Sequence, residues 1–167
     1  MKPHKLCPLF FQTPFSFAPQ SLKLKGGFFS PGKGNRAMIK DPIGILIYGY
    51  NREDAFRIRA TLDRALNDSI FVISASGKED MLIADILDNG PEDFYEDRQD
   101  KIIMFLAFNK EQVDTVLNDF PSPNITRPIF CGLTVQNIQW MMNRLIEHLK
   151  QEHRQWTRGK LSVKEEP

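Results

Sequence analysis

One spacing constrains this chain more than any other feature: apolar segments recur 58 residues apart. Ile45-Leu46-Ile47-Tyr48-Gly49-Tyr50-Asn51 aligns with Ile103-Met104-Phe105-Leu106-Ala107-Phe108-Asn109. The same offset carries Phe71-Val72-Ile73 onto Ile129-Phe130-Cys131, Leu82-Ile83-Ala84 onto Trp140-Met141-Met142 and Leu87 onto Leu145, with no gap. Identities are few, but apolar positions stay apolar or small. A chain with this pattern has two similar halves, and each half must bury its apolar face against the other.

Within each half a strand pattern is followed by a helix pattern, twice. Residues 43–48, 70–73, 102–108 and 128–133 are apolar runs of strand length, the mark of strands buried on both faces. Asn51 with Asp54, and Asn109 with Gln112, have the spacing of helix N-caps. Ala55, Ile58, Leu62 and Leu66 share one helical face, as do Val113, Val116, Leu117 and Phe120. A short helix is expected over 78–87, and a long one capped by Thr134, with Ile138, Met141, Met142, Leu145 and Leu149 on its stripe and an end near Trp156.

Alternating strands and helices predict a small three-layer α/β fold with a four-stranded, mostly parallel sheet. Placing two β-α-β-α halves about a pseudo-twofold puts strands one and three in the middle and gives the order 2-1-3-4. In an open α/β sheet, ligands bind at the carboxyl edge where the order reverses. Residues 48–51 and 107–109 are expected to face each other across that crevice.

Charge divides the chain. Residues 1–40 hold Lys2, Lys5, Lys23, Lys25, Lys33, Arg36 and Lys40 and no acid, leaving fifteen basic against twenty-one acidic residues in the remainder. An acidic domain is a poor nucleic-acid binder, because phosphate neutralisation needs Lys and Arg. The first segment is broken by Pro3, Pro8, Pro14, Pro19 and Pro31 and has no helical or strand period. Residues 1–37 are expected to be a disordered or mis-assigned extension, with Met38 as the true start of a single domain over 38–156, and 157–167 as a polar tail. Cys7 and Cys131 allow neither a disulfide framework nor a cysteine metal site. No apolar run reaches the ~20 residues that span a bilayer. The protein reads as soluble, reduced and cytoplasmic.

From Ile43 to about His153 the chain resembles a bacterial family, domain of unknown function 3783. The resemblance rests on the strand ending in Tyr48-Gly49-Tyr50, the strand ending in Ala107-Phe108, the segment Leu133-Thr134-x-x-Asn137-x-x-Trp140, and the helix end Leu149-x-x-Glu152-His153. The family carries no established activity, so the resemblance implies a fold and a motif.

No catalytic constellation emerges. Ser74, Ser76 and Cys131 have no His partner at a suggestive spacing, and His148, Glu152 and His153 on one helix do not close a metal site. The glycines form no phosphate loop. A receiver domain would need acids where Gly49-Tyr50 and Ala107-Phe108 stand. The candidate binding residues are Tyr48, Tyr50, Asn51, Phe108, Asn109, Thr134, Asn137 and Trp140. The aromatics would supply apolar contact, and the caps would orient backbone amides. On a continuous helix Trp140 points away from the core stripe, beside Arg144, Glu147 and Gln151.

The expected function is a non-catalytic module that binds a ligand or protein partner at the carboxyl edge of its sheet, with no cofactor and no metal of its own. Two alternatives stand beside it: an enzyme whose cofactor brings the chemistry, and a structural or dimerisation subunit. The partner is unknown, nucleic acid and membrane are disfavoured, and a homo-oligomer is open.

Overall fold

The computed structural model describes residues 42–121 and 124–162, with side chains through residue 159. The extension expected over 1–37 and the tail from residue 163 lie outside the described residues. The elements are β1 (Gly44–Tyr48), α1 (Arg52–Leu66), β2 (Phe71–Ser74), α2 (Ile83–Asn89), β3 (Ile102–Leu106), α3 (Lys110–Asp119), β4 (Ile129–Gly132), a 3-10 turn (Asn137–Gln139) and α4 (Met142–Ser162). The sheet order is β2-β1-β3-β4, as the two-halves argument requires.

β1 pairs parallel with β2, and β3 parallel with β4. The central pair, β1 with β3, is antiparallel, with Leu46 opposite Met104. Those two residues stand 58 apart in sequence, so the two halves turn about an axis through the middle of the sheet. The chain path explains the direction. α2 has seven residues, about 10 Å of helix. The loop after it returns to the edge where β1 ends, and Arg98 N donates to Gly49 O. β3 therefore starts at the edge where β1 stops.

Side chains alternate between two cores. Ile45, Ile47, Ile103 and Phe105 meet Ala55, Ile58 and Leu62 of α1 and Val113, Val116 and Leu117 of α3. On the other face Leu46, Ile102, Met104 and Cys131 meet Ile83, Ile86 and Leu87 of α2 and Met142, Leu145 and Leu149 of α4. Both α1 and α3 start as their sequences dictate. Asn51 accepts from Asp54 N, and Asn109 and Gln112 form a reciprocal capping box.

Three boundaries differ from expectation. α2 starts at Ile83 rather than near Lys78, and α4 starts at Met142 rather than at Thr134. The cause is one contact: Leu82 and Met141 form an antiparallel β-bridge, with Ile83 N donating to Trp140 O and Met142 N to Met81 O. These hydrogen bonds hold Leu82 and Met141 in the bridge, and the helices begin at the residues directly after them. The bridge also shows one inserted residue in the second half. Ile83, Ile86 and Leu87 correspond to Met142, Leu145 and Ile146, a spacing of 59 rather than 58. At its far end α4 runs on to Ser162, through the start of the expected tail.

Gly49 and Ala107, also 58 apart, both adopt positive φ at the strand ends, 84° and 61°. A Cβ on Gly49 would lie 2.0 Å from Asp100 O. Gly49→Ala is therefore expected to lower stability by at least about 1–3 kcal/mol. Ala107→Gly relieves left-handed strain but loosens the unfolded chain, and should change stability by less than about 1 kcal/mol. Urea unfolding of the two variants checks the contrast.

Candidate functional site

The antiparallel centre divides the candidate residues. Tyr48 sits opposite Ile102, and Gly44 opposite Leu106. Residues 48–51 therefore lie at one end of the sheet and residues 107–109 at the other. The crevice expected between them does not form, because its two walls belong to opposite edges. This corrects the expectation from a parallel centre.

At the end of β1 the edge is closed by the chain itself. Ser74 Oγ donates to Phe94 O, Glu96 N donates to Ser76 Oγ, and Lys101 Nζ donates to Gly49 O and Arg98 O. Lys78 is buried beneath this loop. Its Nζ lies 3.2 Å from Glu92 Oε2 but outside hydrogen-bond geometry, so the attraction is coulombic. Tyr48 donates to Glu79 Oε1 at 3.1 Å, and Tyr50, 1% exposed, donates to Thr126 O at 2.6 Å. Tyr50 lies in the α1–α3 core, and Asn51 caps α1.

At the opposite end Asn109 caps α3, and Phe108 packs at 5.0 Å against Phe105. Thr134 and Asn137 lock each other. Thr134 N donates to Asn137 Oδ1 at 2.7 Å, and Asn137 N donates to Thr134 Oγ1 at 3.1 Å. Asn137, fully buried, also donates through Nδ2 to Gly132 O at 2.9 Å. Gly132 faces away from β3, since Ile129 N and Leu133 N are the ones that point to it. The Asn137 amide thus satisfies an outward carbonyl of an edge strand. The Thr-x-x-Asn spacing of the motif is that of a reciprocal side-chain lock on a turn, in place of the expected helix cap.

Trp140 is extended rather than helical, so its side chain and that of Met141 point to opposite sides. The indole is half-buried against the α2–α4 core, with the Arg144 guanidinium 4.6 Å over its face and His148 edge-on at 5.0 Å. Arg144 is the neighbour that sequence spacing expected.

Met141 is the residue turned outward. It is 48% exposed, and Leu82, its bridge partner, is 38% exposed. Residues directly opposite in an antiparallel pair show their side chains on the same face. Two large apolar side chains therefore stand together on the surface where α2 and α4 begin. Sequence reasoning missed both, because a continuous helix puts Met141 on the buried stripe. The displaced start of each helix is visible only through a long-range bridge.

The concave sites lie elsewhere. The larger, about 480 Å³, involves Arg57, Arg64 and Asn124 and none of the candidate residues. A second, about 280 Å³, lies between α1 and residues 91–95, where Arg52 and Asp93 pair at 2.6 Å. Among the described residues no group of three or more His, Cys, Asp or Glu is placed to hold a metal ion. No described helix is long and apolar enough to cross a membrane.

Against known families, the model of a domain of unknown function, DUF3783, matches residues 101–155. The match runs from the start of β3 into α4 and contains the Thr134–Asn137 lock and Trp140. No curated protein and no solved structure matches the chain.

Asn137→Ala removes two side-chain hydrogen bonds from a buried position, those to Thr134 N and Gly132 O, and should cost about 2–3 kcal/mol, against about 1 kcal/mol for Asn109→Ala, in chemical unfolding. Burial, aided by the Glu79 carboxylate, raises the Tyr48 hydroxyl from 10.0 to about 12, and burial raises Tyr50 further. Both groups titrate near 10 when unfolded, so above that pH the unfolded chain binds fewer protons. Stability should hold below about pH 10 and fall as pH rises towards about 12. Tyr48→Phe and Tyr50→Phe should flatten that fall in unfolding curves taken across this range.

Proposed function

We propose that this domain is a non-catalytic protein-binding module that meets its partner through the surface at the starts of α2 and α4. The observation that carries this reading is the paired exposure of Leu82 and Met141. Exposed apolar side chains held side by side by backbone hydrogen bonds are pre-ordered, so a partner that covers them loses little ordering entropy. Met141 adapts its shape to what it meets. Trp140 supports the surface from the core side. The hydrogen-bonding groups of Asn51, Asn109, Thr134 and Asn137 serve the fold, which leaves the edge residues little to offer a ligand.

The serine pair near the closed edge favours binding over chemistry. Ser74 Oγ donates to Phe94 O and Ser76 Oγ accepts from Glu96 N. Both hydroxyls are committed to the loop.

A second reading has its own observation. Trp156 stands seven residues beyond Leu149 on the α4 stripe and is exposed. A stripe that continues past the domain favours helix pairing with a second copy, the dimerisation alternative. Sedimentation equilibrium separates the two. A mass that rises with concentration and is lost in Trp156→Ala supports pairing, and a monomer throughout removes it.

The partner surface is tested by cross-linking in extracts of the protein's own cells, comparing the natural chain with Leu82→Ser/Met141→Ser. The double variant should melt within a few degrees of the natural chain, because both residues are exposed, and should lose the cross-linked partner. Trp140→Ala should instead lower stability by about 1–3 kcal/mol. An unchanged cross-linking pattern in the double variant would overturn the reading.

A further inference from the structure

We infer that the partner presents a basic amphipathic segment, with Lys or Arg flanking apolar side chains, to the Leu82–Met141 surface; this rests on that surface being the docking face. The reason is the charge around it. From Glu79 to Asp97 the chain carries eight acidic residues and no Lys or Arg. Glu92, Asp93, Glu96 and Asp97 are neutralised by Lys78, Arg52, Arg98 and Lys101, all from outside that stretch. Asp80, Asp85 and Asp88 are different. Among the described residues none of the three has an ion-pair partner, and Asp80 only accepts from Asn143 Nδ2 at 3.0 Å.

Asp80 and Asp85 flank the apolar pair, and Asp88 extends the acidic edge along α2. Asp85 lies one helical turn from Leu82 on the exposed side of α2, since Ile83, Ile86 and Leu87 take the buried side. Asp88 is a turn further on. Asp80 reaches across to Asn143, beside Met141. Arg144, the nearest cation on α4, is drawn over the Trp140 ring. An apolar centre with an anionic edge on its α2 side selects a cationic amphipathic partner lying along that edge and disfavours polyanions such as nucleic acid and anionic lipid. Apolar contact would set the lifetime of the complex, and the carboxylates its rate of formation and its salt dependence.

The test uses two labelled synthetic helices of equal length, one of Leu and Lys and one of Leu and Glu, titrated into the full chain by fluorescence anisotropy. The Leu/Lys helix should bind saturably and at least about tenfold more tightly than the Leu/Glu helix, and should weaken as salt rises. Leu82→Ser/Met141→Ser should abolish its binding. Asp85→Asn/Asp88→Asn, a change of exposed residues, should weaken binding and flatten the salt dependence. Equal binding of both helices, lost in Leu82→Ser/Met141→Ser, would overturn the basic partner and leave the docking face standing. Binding of neither helix, or binding indifferent to Leu82 and Met141, would overturn both.

Discussion

β1 and β3 meet antiparallel with Leu46 opposite Met104, and this pairing decides where every loop falls. A parallel pair would have gathered four strand-to-helix turns along one edge. The antiparallel pair sends two to each end of the sheet. It also fixes which residues can cooperate: Tyr48 shares an edge with Glu79, Arg98 and Lys101, while Asn109 shares one with Thr134 and Asn137. A binding crevice at a reversal of strand order depends on carboxyl ends lying side by side, and here they do not.

The same pairing explains the asymmetry between Gly49 and Ala107. Both bend the chain through the left-handed region as a strand gives way to a helix. Only at Gly49 does a loop lie against the bend, with Asp100 O where a Cβ would go. There glycine is required by packing as well as by φ. At Ala107 the bend is exposed, and a methyl group is tolerated at a modest cost. Similar halves thus acquire different edges because one connection, residues 90–101, has to return across the sheet end and the other does not.

The bridge between Leu82 and Met141 is another point at which the halves meet. It shortens two helices, turns Met141 outward and leaves Trp140 facing the core. Many residues that looked like a binding surface are therefore committed to the fold: caps at Asn51 and Asn109, a lock at Thr134 and Asn137, and a hydroxyl at Tyr50 donating to Thr126 O. The exposed apolar contact lies instead where two chain segments meet.

Strand and helix positions were legible in the sequence because local rules govern them. Apolar runs mark buried strands, 3.6-residue stripes mark α1 and α3, and Asn51 and Asn109 carry their caps. The order 2-1-3-4 was legible too, since two similar halves of this kind leave few arrangements. The direction of β3 relative to β1 was not, because an apolar run such as Ile102–Leu106 reads the same in either sense and only the return of residues 90–101 to Gly49 selects one. Nor was the start of α4: Ile138, Met141 and Met142 fit a helical stripe locally, and hydrogen bonds to Met81 and Ile83, some sixty residues earlier, delay the helix to Met142. The sequence determined what each segment wants to be; the tertiary structure decided which edges share neighbours and which side chains reach solvent, because both depend on contacts between segments far apart in the chain.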